Sequence, residues 1–153
     1  MSSRMQQLAL DLQSAGLVRP TDLTGCNPDD ILALEQKFGI TLPETYCDWL
    51  RVMGRGAGHY LEGSDAFYPR LLELRSSAEE LLIENGRPFF LPQDAFVFLM
   101  HQGYQFLYFR TAPPDADPPV ILYLEGESPL QRWTHVSSYF QQVLDDHVKL
   151  LKS

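Results

Sequence analysis

The chain has 153 residues, 44% of them hydrophobic and 21% charged, and a formal net charge of −8. That length suits one domain able to bury roughly 70% of the surface its unfolded chain exposes, with no need of disulfide staples. No apolar run approaches the ~20 residues that span a bilayer, and twelve basic residues scattered among twenty acidic ones disfavour direct nucleic-acid binding, which takes clustered Lys and Arg.

Met5, Leu8, Leu12 and Ala15 recur at helical spacing, and Gly16 and Pro20 mark the end of a short N-terminal helix, read as peripheral. The same stretch mixes Arg4, Gln6, Gln7 and Asp11 among its leucines, so it lacks a signal-peptide core. Cys26 and Cys47 stand far apart without CxxC spacing. A cytoplasmic protein with inert thiols is the expectation.

Asn27-Pro28-Asp29-Asp30 starts a second helix: Asn27 caps it, Pro28 fits its first position, and two aspartates meet the positive end of its dipole. Ile31, Leu34 and Phe38 line one face, and Gly39 closes the helix in a left-handed conformation. Pro43 then opens a third helix, with Tyr46, Trp49, Leu50 and Met53 on its buried side and Gly54 as its stop. A link of only Gly39 to Leu42 makes these two helices neighbours. Gly54 to Gly58 lacks the lysine and the strand-to-helix context of a phosphate-binding loop, so its glycines read as turn glycines. His59 to Glu62 reads as a short strand. Ser77 with Glu80 resembles a capping box and starts a further helix that ends near Asn85-Gly86.

Leu91 to Arg110 is the densest apolar stretch, a hairpin turning at Gln102-Gly103-Tyr104. Phe96 to Met100 and Phe106 to Phe109 are too continuously apolar for strands with one wet face, so helices must cover both sides of the sheet. Thr111 to Pro119 holds four prolines and two acids and reads as an exposed loop. Val120 to Leu124 adds a third strand to an antiparallel meander over about 94–124, and Gly126 to Leu130 makes the next turn. The closing helix carries Phe140, Val143, Leu144, Val148 and Leu151 as an apolar stripe suited to one sheet face.

The sequence offers no catalytic or metal constellation. His59, His101, His135 and His147 share no close spacing, and there is no HExxH motif, C/H cluster or GxSxG elbow. Acid pairs such as Glu62 with Asp65 or Asp115 with Asp117 suit acid–base chemistry, but solvated loop acids explain them as well.

Ile31, Leu34, Glu35, Phe38, Gly39, Ile40, Leu42, Pro43, Tyr46, Trp49 and Leu50, followed by the Gly54 to Gly58 turn, resemble the front half of the SUKH superfamily, the Smi/Knr cell-wall-regulator type domain. Phe96 to Phe106, Pro119 to Tyr123 and a closing helix around Ser138-Tyr139-Phe140 are similar to the back half of a bacterial member. The resemblance runs from about Asn27 to Leu151. It implies an α+β fold in one domain, 1–153, with N-terminal helices and a C-terminal helix packed on a central antiparallel or mixed sheet, the first 24 residues being peripheral. It also implies no catalysis and no cofactor. Bacterial members are immunity proteins of polymorphic toxin systems, in the manner of toxin–antitoxin pairs; fungal members are regulatory scaffolds. Many members carry an acidic Gly-Asp type turn where this chain has His101-Gln102-Gly103-Tyr104, so a role for that acid does not carry over.

The expected function is therefore protein binding, the partner being a basic toxin such as a nuclease, with neither direct nucleic-acid binding nor membrane attachment. A regulatory scaffold is the alternative, and a small-ligand sensor with a pocket near Gly54 to Asp65 the third reading. The contact residues expected on loops and strand ends are Tyr60, Glu62, Asp65, Tyr68, Gln102, Tyr104, Asp115, Asp117 and Trp133. For Tyr68, Tyr104 and Trp133 the sequence leaves two placements open, surface anchor or core.

Overall fold

Phe96, Phe98 and Phe109 turn their rings to one face of an antiparallel sheet, and most of the helices serve to keep that face dry. The structure, a computed structural model, describes residues 4–152. Its helices are α1 (Arg4–Ser14), α2 (Pro28–Phe38), α3 (Glu44–Met53), α4 (Leu71–Glu84) and α5 (Val136–Lys152). Strands β1 (Leu23–Thr24) and β2 (Gly56–Ala57) pair as a small ribbon. The main sheet takes β3 (Ser64–Asp65), β4 (Ala95–His101), β5 (Gln105–Arg110), β6 (Val120–Leu124) and β7 (Leu130–Trp133) in sequence order, every neighbour antiparallel. The fold is thus α+β around the expected meander, with β3 and β7 added at its edges.

Local chemistry sets the helix ends. The Asn27 side chain accepts from Asp30 N at 2.8 Å, and the Asp30 carboxylate accepts from Asn27 N at 3.2 Å, a reciprocal box at the start of α2. Gly39, at φ 64°, closes that helix in the left-handed region. Gly54 ends α3 for another reason. Its backbone is right-handed, but a Cβ there would lie 2.5 Å from Cys26 Sγ and 2.6 Å from Leu50 O, so only glycine fits.

The core is aromatic. Tyr46 of α3 sets its ring 5.2–5.9 Å from those of Phe96, Phe98 and Phe109, and Trp49 stacks on Phe140 of α5 at 4.6 Å. Val97 lies opposite Tyr108 while Leu99 lies opposite Leu107, so Phe98 is an extra residue in β4, a bulge that directs a further ring at α3 and α5. Such rings contribute edge and stacking energies on top of their buried area, about 0.5–1.5 kcal/mol per pair.

Cover of the second face differs from the expectation. α2, α3 and α5 all lie on the Phe96 side, whereas the opposite side is closed by α4 against β4 and by Phe89, whose ring stands 5.5 Å from Tyr123 and 6.5 Å from Tyr108. α4 starts at Leu71, before the expected Ser77, because Leu71, Leu74, Ala78, Leu81 and Leu82 form one unbroken buried stripe. Ser77 is therefore interior to the helix, and its hydroxyl accepts from Arg70 Nη2 instead of capping. His59 to Glu62 is a turn, and the strand falls two residues later at β3.

α1 is not peripheral. Met5, Leu8, Ala9 and Leu12 are buried in the common core, and the helix packs on α3. In α5, Phe140 and Leu144 are buried as expected and Val143 and Val148 pack at the margin; the side chain of Leu151 lies outside the described residues.

Two fully buried tyrosines differ in one bond. Tyr60 donates its hydroxyl to Phe140 O at 2.8 Å, whereas the Tyr46 hydroxyl has no hydrogen-bond partner among the described residues. Tyr60→Phe is expected to lower unfolding free energy by about 1 kcal/mol in a urea titration, and Tyr46→Phe to leave it unchanged or raise it. Equal losses in the two variants would contradict this assignment.

Candidate functional site

A meander alternates its turns between the two ends of the sheet, and this alternation sorts the candidate residues. The β4–β5 turn and the β6–β7 turn share one end, while the β5–β6 loop lies at the other. Gln105 pairs with Leu124, and Glu125 N donates to Tyr104 O at 3.0 Å, so the two turns are joined by a backbone bond. β3 brings Ser64 opposite His101 at the same end.

That end gathers Glu62, Asp65, Gln102 and Tyr104, together with Glu125 and Glu127, all exposed. Gln102 and Gly103 both take positive φ, 50° and 78°, as tight hairpin turns require, and Tyr104 follows them with 37% of its surface open. The turn is braced from beneath. His101 packs its ring edge-on to Tyr104 at 5.8 Å and hydrogen-bonds Ser64 Oγ at 2.9 Å through Nδ1. Asp65 meets Arg70 at 3.5 Å and Glu62 meets His59 at 2.9 Å, whereas no cation among the described residues pairs with Glu125 or Glu127. The result is an acidic rim around one aromatic ring.

Asp115, Asp117 and Trp133 go to the opposite end and join no common site with Tyr104. Asp117 is a structural cap: its carboxylate accepts from Ser137 N at 2.9 Å and from the Ser137 hydroxyl, holding the proline-rich loop on the first turn of α5. Asp115 is exposed and accepts from Asp117 N at 2.9 Å within that loop. Trp133 is half-buried, edge-on to Tyr139 at 4.8 Å, with its indole N–H donated to Gln142 Oε1.

The tyrosines near Gly54 are also architectural. Tyr60 is fully buried and cannot touch a partner. Tyr68 lies half-buried under the Arg55 guanidinium, 4.9 Å from its ring centre, while Arg55 forks onto Asp30 at 2.8 and 2.9 Å. Asp30 is buried, and the Arg55 hydrogen bonds hold its carboxyl below the usual range.

A family model described as the SMI1 / KNR4 family (SUKH-1) matches residues 25–146, most of the chain. The chain belongs to the SMI1/KNR4 family. The matched span runs from just before α2 into α5 and holds every candidate residue named above. A comparison with curated proteins finds no match. α1, which completes the core behind α3, precedes the part that the SMI1/KNR4 model matches.

Two cavities of this SMI1/KNR4 domain have charged side chains tied up within the fold. In one, about 670 Å³ between the α2–α3 link, Arg75 and Asp94, Arg75 donates to the carbonyls of Pro92 and Ala95 at 2.9 Å each. The hollow beside Gly58, about 490 Å³, is where a ligand sensor was expected, and there Arg19 pairs with Asp22 and the His59 ring lies 2.9 Å from the Glu62 carboxylate. Burial pushes the Cys26 and Cys47 thiols up to about 11. Among the described residues, no group of three or more His, Cys, Asp or Glu could hold a metal, and no helix is long and apolar enough to cross a membrane.

Asp94 fastens the far end of the sheet. Its carboxylate accepts from Arg110 Nε and Nη2 at 2.8 and 2.7 Å and from the Thr111 and Ala112 amides at 3.1 Å, and the Arg110 bonds foremost lower its pKa to about 2. A carboxylate depressed below its unfolded value of about 3.9 stabilises the fold above that value and loses the contribution as pH falls toward about 2. Asp94→Asn should therefore melt lower than the parent at pH 7, with the gap closing between about pH 4 and pH 2. A gap constant across that range in thermal melts would contradict the role.

Proposed function

We propose that this SMI1/KNR4 domain is a non-catalytic protein-binding module of the immunity type, which neutralises a basic toxin such as a nuclease by covering it with the Tyr104 end of the sheet. The observation that supports this most is the placement of Tyr104: an exposed aromatic on a braced hairpin turn, joined through its own carbonyl to the acidic Glu125–Glu127 turn. A ring with few rotatable bonds on a rigid support loses little entropy on binding, and the acids around it favour encounter with a cationic surface. A formal charge of −8 extends the same steering over longer range. Such a protein would act in the cytoplasm of a bacterium that makes the toxin.

A regulatory scaffold would use the same surface but engage several partners, whereas an immunity protein engages one cognate partner whose gene lies next door. Co-purification with that neighbouring gene product separates the two. In the isolated complex, Tyr104→Ala is expected to weaken binding by about 2 kcal/mol or more, roughly thirtyfold, with cooperative unfolding retained. Glu125→Lys with Glu127→Lys should slow association and flatten its salt dependence. Parent-like affinity and salt response in both variants would remove this end of the sheet from the interface.

A further inference from the structure

The C-terminal end of α4 and the β6–β7 turn border a hollow of about 410 Å³, lined by Asn85, Pro88, Tyr123, Glu125, Glu127 and Ser128, with Gly126 between the acids. Its lining contains no Lys, Arg or His, so the charges on its wall are two carboxylates. No ion pair among the described residues includes Glu125 or Glu127. Arg87, the cation closest along the chain, lies over the Phe90 ring at 5.7 Å and belongs to a different hollow. Two exposed acids on a turn need no ligand, but these share their hollow with a buried polar group.

That group is Tyr123, only 1% exposed and held between the rings of Phe89 and Phe106 at 5.5 and 5.1 Å. Its hydroxyl accepts from Asn85 Nδ2 at 2.7 Å, which uses one lone pair of the phenol and one amide proton of Asn85. The second phenol lone pair, the phenol proton and Asn85 Oδ1 have no hydrogen-bond partner among the described residues, so a nearly fully buried polar group lines the hollow half satisfied. Asn85 is also the C-cap of α4, whose last turn carries no basic residue to meet the negative end of its dipole. Carboxylates, unused amide and phenol oxygens and a helix C-terminus thus converge on one hollow, and each favours a cation.

A metal ion does not fit, because no group of three or more His, Cys, Asp or Glu among the described residues could hold one. The acceptors lie on two separate elements, which suits the planar fork of donors on a guanidinium better than the point charge of an ammonium. The hollow also borders the Tyr104 surface, since Glu125 N donates to Tyr104 O at 3.0 Å. We infer that it receives an arginine side chain of the protein partner, whose guanidinium meets Glu125 and Glu127 and donates to the Asn85 and Tyr123 oxygens. The assignment rests on the reading of this end of the sheet as a protein contact, and adds the residue that the partner presents there.

The probe is N-acetyl-arginine methylamide, titrated into the isotope-labelled full chain at fixed ionic strength and followed by amide NMR, with the citrulline analogue as a neutral isostere and the lysine analogue as a point charge. Saturable shifts are expected at the Asn85 side-chain amide and the backbone amides of residues 124–128. Affinity should fall about threefold or more with either analogue, and about fivefold or more for the arginine probe in Glu125→Gln/Glu127→Gln. Both glutamates are exposed, and a parent-like thermal melt confirms that this variant folds. In the complex with the neighbouring gene product, the same variant should dissociate about fivefold faster or more. No saturable shift, shifts centred elsewhere, or equal binding of the citrulline or lysine analogue would overturn the assignment. Probe binding with a complex that dissociates at the parent rate would overturn it too, by making the hollow a site for a free cation. A complex weakened by Tyr104→Ala in a chain that ignores the arginine probe defeats this inference alone, whereas a complex indifferent to Tyr104→Ala defeats the contact reading beneath it.

Discussion

Everything in this fold follows from the burial of β4 on both faces. Ala95 to Met100 are six successive residues out of water, a pattern that an antiparallel strand sustains only if each face is covered. Burying the large side chains among them is worth ~1.5–3 kcal/mol apiece relative to exposure, so the strand cannot lose a covering layer cheaply. The two layers are unequal. Tyr46, Trp49 and Phe140 give one face a packed aromatic slab, whereas α4 and Phe89 close the other with aliphatic side chains and a single further ring.

That constraint also divides structure from surface. Side chains needed to cover β4 are unavailable to a partner, which removes Tyr60 and ties Tyr68 and Trp133 into local contacts. The candidate residues that remain exposed lie on turns, loops or strand ends, where meander geometry decides which of them meet. The Tyr104 and Glu125 turns fall together because two strands separate them in the sheet order, and the Asp115 loop falls opposite because only one does.

Much of this was legible in the sequence. Asn27, Pro28 and Gly39 specify α2 by local chemistry alone, and the continuous apolar runs of β4 and β5 demanded a sheet covered on both sides. The errors share a cause: tertiary context overrode a local signal. Ser77 with Glu80 spells a capping box, but a stripe beginning at Leu71 placed it inside a helix. The leucines of α1 carry a correct helical period, yet period cannot tell a peripheral helix from one seated behind α3. β3 and β7, two and four residues long, leave little pattern to detect.

The candidate site was half legible. Gln102 and Tyr104 stood out as a polar, aromatic turn between buried strands, but Glu125 and Glu127 carry no motif of their own. Only the strand order, already implied by the meander, brings them beside Tyr104. Asp117 shows the converse, an acid on an exposed proline-rich loop whose bonds to Ser137 are invisible until the loop is placed against α5.

Amide hydrogen exchange of the chain, free and bound to the partner captured from its native host, tests the central claim most directly. The account predicts new protection confined chiefly to residues 101–105 and 124–128. Protection concentrated instead at residues 111–119 and 130–135, with the Tyr104 and Glu125 turns unchanged, would contradict it.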